Sequence, residues 1–285
     1  MANGEDVTSG TKSPQQFAVL TGCRRVWAVA AVHGQAAMLA RLHEEIAQRW
    51  ALLDRIVYTG NLLGYGDDCL GVVDEVLAFR RRALAVPHAI PEDVVFLRGQ
   101  QEEMWQKLLQ LQFARDPAGV LDWLLAHGVG ATLAAYGGNA QEGQAEARHG
   151  AVSLTRWTQS LRARMNALPG HAPLFASLRR AAYSDDQGLL LVSAGLDPSR
   201  RLDQQGDTFW WGHPVFGGAV KHFNPFRAVV RGLAAGHPGL LVEDGLITVD
   251  GGAGFGGPLL AVCLDTAGQV LDQVAVPAEA AGDPG

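Results

Sequence analysis

The sequence has few cysteines: three in 285 residues, at Cys23, Cys69 and Cys263. They lie far apart and show no paired spacing. Disulfide frameworks and cysteine-based zinc sites need several cysteines at short, regular separations. The sequence therefore argues against both, and such cysteine usage fits a protein from a reducing cytoplasm.

Charge and long apolar runs are scarce as well. Charged residues make up 18% of the chain and the formal net charge is -6, whereas a nucleic-acid-binding face needs clustered Lys and Arg. No apolar run approaches the roughly 18 residues of a membrane span. The polar residues 1–16 lack the apolar core of a signal peptide. We therefore expect a cytoplasmic protein with no nucleic-acid and no membrane partner.

What the sequence does contain is apolar residues, at 48% of the chain, enough for a large buried core. Residues 1–20 are rich in Gly, Ser, Thr and Gln and are predicted to form a disordered N-terminal lead. Residues 276–285 are predicted to form a disordered tail. The folded domain is accordingly predicted over residues 21–275.

Strands and helices alternate through the first part of this domain. Residues 26–32, 55–58 and 93–97 are predicted strands, separated by segments with one apolar helical face. This order predicts a parallel sheet with right-handed crossovers, whose sites form at the carboxyl ends of the strands. His33, Asn61 and Gln100 fall just past these ends.

The second part of the domain is predicted to be helical over about residues 100–180 and to consist of strands thereafter. Short apolar runs with glycine-rich turns indicate a second, largely antiparallel sheet packed on the first. These runs are residues 188–193, 227–231, 246–249, 258–264 and 270–276.

Five glycine-punctuated segments follow one another in a characteristic order. They are residues 30–34 (Ala-Ala-Val-His-Gly), 60–66 (Gly-Asn-Leu-Leu-Gly-Tyr-Gly), 98–102 (Arg-Gly-Gln-Gln-Glu), 192–198 (Val-Ser-Ala-Gly-Leu-Asp-Pro) and 230–233 (Val-Arg-Gly-Leu). In order and spacing they resemble the motifs of the calcineurin-like metallophosphoesterases, closest to the serine/threonine protein phosphatase branch with its bacterial and diadenosine tetraphosphatase relatives. Residues 128–137 and 247–259 resemble two further stretches of that family, so the similarity covers about residues 24–275.

The resemblance implies an α/β fold with two mixed β-sheets packed face to face and flanked by helices, a four-layer αββα sandwich. It also implies two divalent cations about 4 Å apart, held by Asp, His and Asn side chains. Most of those ligand positions are substituted here. The substituted positions are Ala31 and Asn61 for two Asp, Gln100 for Asn, Gln101 for the general-acid His, Ser193 and Leu233 for two His, and Gly64 and Tyr65 for an acid and an Arg.

These substitutions leave His33 as the one strong ligand, and one His with one amide cannot hold two divalent cations. We therefore interpret the chain as a pseudophosphatase that works as a protein- or ligand-binding module, with no catalytic residue and no cofactor. The alternative is an active serine/threonine phosphatase-like phosphoesterase with an atypical site, in which His33 and Asn61 hold Mn, Fe or Zn. The vestigial site comprises His33, Asn61, Arg98, Gln100, Gln101 and Ser193.

Structural roles for these residues remain open alternatives. His33 is explained equally by backbone hydrogen bonds at a strand end, Arg98 by an ion pair, and the uncharged residues by polar filling of a former metal site. A scaffold without any ligand is a third possibility. If the protein binds an unknown protein or a small polar ligand, we expect aromatic residues at the cleft rim to contact it. These are Tyr65, the helix with Met104 and Trp105, and the pair Trp210 and Trp211.

Overall fold

The computed structural model describes residues 16–214, 216 and 223–278. These residues form two β-sheets. Their strands are β1 (Phe17–Leu20), β2 (Arg25–Val29), β3 (Asp54–Tyr58), β4 (Val94–Phe96), β5 (Ala181–Ser184), β6 (Leu189–Val192), β7 (Ala228–Arg231), β8 (Gly239–Glu243), β9 (Leu246–Asp250), β10 (Leu259–Asp265) and β11 (Val270–Val276).

The helices lie between β2 and β5, apart from one short helix before β7. They are α1 (Ala36–Arg49), α2 (Cys69–Ala83), α3 (Gln100–Leu109), α4 (Pro117–Leu124), α5 (Gly130–Ala135), α6 (Ala140–His149), α7 (Ala151–Ala167), α8 (His171–Ser177) and α9 (Thr208–Trp211).

The first sheet has the strand order β11-β10-β2-β3-β4. Its strands β2, β3 and β4 are parallel, and Val29 pairs with Tyr58, which in turn pairs with Phe96. β3 and β4 are buried along their whole length, which is typical of parallel strands covered on both faces. The register brings the loops that begin at Ala30, Thr59 and Leu97 to one edge of the sheet.

The second sheet has the order β1-β5-β6-β7-β9-β8. β6, β7 and β9 are parallel, with Val192 opposite Arg231 and Arg231 opposite Thr248. Alternate residues of its strands face opposite sides. Leu191 belongs to the large core shared with the first sheet, whereas Leu190 packs in a second core with Phe209 and Trp210. The fold is thus two mixed sheets face to face with helices outside.

Two sequence-based expectations about the sheets are wrong. The second sheet is mixed rather than largely antiparallel, and residues 258–264 and 270–276 lie chiefly in β10 and β11, which belong to the first sheet. β10 pairs antiparallel with β2, with Ala261 opposite Val29. That pairing joins residues more than 200 positions apart, which no local pattern encodes.

The ends of the domain also differ from the expectation. Residues 17–20 were assigned to the disordered lead but form β1, which pairs parallel to β5 with Phe17 opposite Ala181. The short apolar run buries Ala18 and Leu20 there. At the other end β11 includes Val276, the first residue of the predicted tail. The rest of the predicted lead up to residue 15, and residues 279–285, lie outside the described residues.

The segment Pro117–Ala135 is long and apolar enough, by length and composition alone, to cross a membrane. In the structure it is interrupted, because His127 and Gly128 depart from helical geometry. Its residues Leu121, Leu124 and Leu133 are buried in the large core. Other residues of the segment are not buried, such as Trp123, which is 44% exposed.

Candidate functional site

The loops that follow the parallel strands have an unusual backbone. His33, Asn61 and Tyr65 have φ of 51°, 55° and 60°, the left-handed region that non-glycine residues rarely adopt. Strained residues of this kind persist where the surrounding structure fixes them, and they cluster at functional sites. The loops that carry the predicted vestigial site therefore have a demanding backbone geometry that their surroundings hold in place.

Asn61 lies at the centre of a hydrogen-bonded cluster. Its Oδ1 accepts a hydrogen bond from the backbone N–H of Gln101 at 3.1 Å, and its Nδ2 donates to Ser193 Oγ at 3.4 Å. The Gln101 side chain donates from Nε2 to the carbonyl of His127 at 2.9 Å. Asn61, Gln101 and Ser193 are all buried. The structure thus brings these predicted site residues together and pairs them with one another.

His33 lies beside this cluster and is neutral. Its Nδ1 donates to the carbonyl of Leu63 at 3.2 Å, and its ring packs edge-on against Tyr65 and Phe255. Burial lowers the pKa of His33 to about 4. The tautomer set by the Leu63 carbonyl leaves a lone pair on Nε2, which has no hydrogen-bond partner among the described residues.

Glu102 holds the loops together and was not among the predicted site residues. Its buried carboxylate accepts hydrogen bonds from the backbone N–H groups of Asn61 at 2.8 Å, Leu62 at 2.8 Å, Leu63 at 3.3 Å and Gly99 at 2.8 Å. Burial raises the pKa of Glu102 from its ordinary value, and these backbone hydrogen bonds oppose the rise. Its position at the end of the 98–102 motif is the sequence feature that could have identified it.

Arg98 and Gln100 leave the cluster in different directions. Arg98 forms an ion pair with Glu103 at 3.0 Å and donates to Gln106, and it lines a separate cavity beside Trp105. Arg98 therefore forms the ion pair that the sequence left open as its structural role. Gln100 lines a different cavity, an open cleft that His33 also lines.

The predicted aromatic rim is only partly at the surface. Met104, Trp105 and Trp210 are buried, and Trp105 stacks on Tyr136 with ring centroids 5.1 Å apart. Met104 and Trp105 belong to the large core, where α3 packs against α4 and α7, and Trp210 belongs to the second core. The prediction that they form a binding rim is wrong, whereas Tyr65 and Trp211 do line the cleft.

The cleft has a volume of about 600 Å³ and contains residues that the sequence did not single out as a site. Arg231 enters it from the end of β7. His237 lines it and is held by the buried carboxylate of Asp250, with Nδ1 and Oδ2 2.9 Å apart. Phe255 stacks on His237 with centroids 4.5 Å apart. Neither a motif nor a metal-ligand spacing marks His237, since its pairing depends on how β7 and β9 place their following loops.

The residues at the positions where the resemblance implies metal ligands do not fit a pair of divalent cations. The described residues contain no group of three or more His, Cys, Asp and Glu side chains that could hold a metal ion. The Asn61 amide is hydrogen-bonded through both of its polar atoms. The side chain of Gln101 occupies the space that a side chain at Gly64 would fill. Two cations need carboxylates and imidazoles, whereas these positions carry the amides of Asn61 and Gln101, and Gln101 Oε1 has no partner among the described residues.

Comparisons with known proteins support the fold. No protein-family model and no curated protein matches the chain. A candidate diadenosine tetraphosphatase matches with 20% identity over 92% of this chain and 98% of that one, with a TM-score of 0.54. A serine/threonine phosphatase from Saccharomyces cerevisiae with similarity to human phosphatase PP5 matches with 14% identity over 94% of this chain and 86% of its own, with a TM-score of 0.56. The chain therefore has the calcineurin-like metallophosphoesterase fold.

Proposed function

We propose that the protein is a catalytically degenerate metallophosphoesterase that binds a ligand in its cleft without hydrolysing it. The observation that carries this proposal is the closed cluster of Asn61, Gln101 and Ser193. Each occupies a position where the resemblance implies a metal ligand or general acid, and each is hydrogen-bonded within the protein. The cleft beside the cluster stays open, which supports binding.

The chemistry of the donor set supports the loss of hydrolysis. Two-metal phosphoester hydrolysis uses a bridging carboxylate and a metal-bound hydroxide as nucleophile. Asn61 is neutral and Gln101 cannot donate a proton as a histidine general acid does. Glu102 is the nearest carboxylate on these loops, and it is committed to backbone N–H groups. It therefore has no free oxygen for a cation.

The alternative, an active phosphoesterase with an atypical metal site, rests on one observation. His33 Nε2 carries a lone pair with no partner among the described residues, and this is the atom through which an imidazole binds a metal. A single imidazole is a weak site, because divalent cations in proteins take several ligands. Cytoplasmic localisation and the absence of nucleic-acid and membrane partners stay predictions.

Metal content and hydrolysis test the proposal. The protein would be purified without chelator, dialysed against metal-free buffer and analysed for Mn, Fe, Zn and Ni. We expect well under one ion per chain. We also expect background hydrolysis of p-nitrophenyl phosphate, a phosphopeptide and diadenosine tetraphosphate, with and without added Mn, and an unfolding midpoint that is the same in Mn and in chelator.

The variant His33→Asn is the control for these measurements. Asn tolerates positive φ and its amide can replace Nδ1 as the donor to Leu63. Two tightly held ions per chain, or a hydrolysis rate that His33→Asn abolishes while the variant stays folded, would establish the active alternative. A rate that His33→Asn leaves unchanged would point to a contaminating phosphatase.

A further inference from the structure

Arg231 is a half-buried cation without an acidic partner among the described residues. Its Nε donates to Thr248 Oγ1 at 2.9 Å, and its guanidinium lies 5.4 Å from the ring centroid of Phe216. Burial lowers the pKa of Arg231, and Asp250 and Glu243 oppose this only through space. A guanidinium that has lost water without gaining a carboxylate is suited to bind an anion from solution.

The surroundings limit the charge of that anion. Among the described residues, the titratable side chains that line the cleft with Arg231 are His33, Tyr65, His213 and His237, and the Asp250 carboxylate lies directly behind His237. The carboxylates of Asp250 and Glu243 act on Arg231 through space and oppose part of its positive charge. Each negative charge on a ligand would meet repulsion from these carboxylates, so the cleft favours a monoanion over a dianion.

The cleft also presents flat apolar surfaces. Tyr65, Trp211 and Phe255 line it, and 42%, 36% and 50% of their respective surfaces are exposed. Large aromatic rings exposed together around one cleft are unusual outside binding sites. Tyr65 and Phe255 lie with their ring centroids 4.7 Å apart, and Phe255 is supported from one side by the stacked His237 ring. Such preformed faces suit an aromatic ring, which packs by stacking or edge-to-face contact.

We propose that the cleft binds a small aromatic monocarboxylate, whose carboxylate pairs with Arg231 and whose ring packs against the aromatic side chains of the cleft. A planar guanidinium matches a carboxylate through two parallel hydrogen bonds. The volume of about 600 Å³ is within the range of pockets that hold small ligands. This inference rests on the proposed function in one respect: the cleft binds its ligand without transforming it.

Titration calorimetry with three probes of similar shape tests the inference. Phenylacetate is the carboxylate, phenylacetamide its neutral counterpart and phenyl phosphate the dianion. We expect phenylacetate to bind at least about tenfold more tightly than phenylacetamide, because the hydrogen bonds to Arg231 are charge-assisted. We expect phenyl phosphate to bind no more tightly than phenylacetate. Equal affinity for the acid and the amide, or a clear preference for the phosphate, would overturn the inference.

Two substitutions locate the binding, each with a matched control. Arg231→Gln should weaken phenylacetate binding by about tenfold to a hundredfold, and Phe255→Ala should weaken it several-fold. Arg156→Gln and Phe113→Ala remove the same side chains at exposed positions of α7 and of the turn before α4, and should change nothing. If Arg231→Gln fails to fold, two measurements still decide the question. One is the comparison of phenylacetate with phenylacetamide on the wild type, and the other is phenylacetate binding by Phe255→Ala, which changes an exposed residue.

The outcomes separate this inference from the proposed function. Release of phenol from phenyl phosphate by the wild type would refute the proposed function whatever the affinities are. Absence of binding by all three probes would refute the aromatic carboxylate site and leave the metal and hydrolysis measurements unaffected. Binding that survives both Arg231→Gln and Phe255→Ala would place the ligand elsewhere and overturn the inference.

Discussion

Acid should destabilise the protein through His33, and the structure allows the effect to be worked out. Burial lowers the pKa of this ring from 6.5 to about 4. Above pH 6.5 the ring is neutral in both the folded and the unfolded chain. As the pH falls below 6.5 the unfolded chain gains a proton that the folded chain does not take up until about pH 4. The stability contributed by the neutral ring is therefore present above pH 6.5 and is lost between about pH 6.5 and 4.

The full loss is roughly 3 kcal/mol, at about 1.4 kcal/mol for each tenfold change in proton affinity, and roughly 2 kcal/mol of it should be lost by pH 5. Urea denaturation at several pH values from 7 to 5 measures it. Because other groups titrate in this range, the quantity of interest is the difference in unfolding free energy between wild type and His33→Asn. The substituted side chain does not titrate. Lowering the pH from 7 to 5 should therefore reduce the stability of the wild type relative to the variant by roughly 2 kcal/mol.

The matched control is His149→Asn, since His149 is exposed at the end of α6. The difference between wild type and this variant should not show that loss of wild-type stability from pH 7 to pH 5. If the wild type and His33→Asn instead show parallel pH profiles, the ring is not held neutral in the folded chain. The interpretation of His33 Nε2 as a buried acceptor would then be refuted.

Two further predictions concern the loops of the cluster. Glu102→Gln should lower the free energy of unfolding, measured by urea denaturation, by about 3 kcal/mol. The new amide NH₂ would face backbone N–H groups that donate hydrogen bonds to a carboxylate oxygen in the wild type. Glu103→Gln, which removes two partly exposed ion pairs with Arg98 and Lys107, should cost less than about 1 kcal/mol, and equal losses would contradict the role given to Glu102. Gly64→Ala should lower the unfolding midpoint, with a cost of about 1–3 kcal/mol, because φ is +83° there and the new Cβ would overlap the Gln101 side chain. Gly206→Ala, at an open position, should leave the midpoint unchanged, and similar midpoints for both variants would show that Gln101 moves aside freely.

Several features of the protein could be predicted from the sequence because they depend on short-range patterns. Apolar runs of strand length, separated by segments with one apolar helical face, are sufficient to predict a parallel α/β sheet. Glycine-punctuated segments just past those runs place His33 and Asn61 at strand ends, since a tight loop there requires glycine. The identity of the side chains at those ends also predicts that two metal ions do not fit, because ligand chemistry is read from residue type.

The tertiary structure decided which partners these residues have. Asn61 and Ser193 are 132 positions apart, and their contact exists only because the two sheets pack with their strand ends together. The same long-range packing buries Trp105 and Trp210, an outcome that depends on which helix face meets the core. Hydrophobic periodicity identifies an apolar face but not the element that covers it. The sequence alone therefore determined the parallel part of the first sheet and the residue types at its strand ends, whereas the pairing of β10 with β2, the closed cluster and the cleft around Arg231 were set by packing between segments distant in the chain.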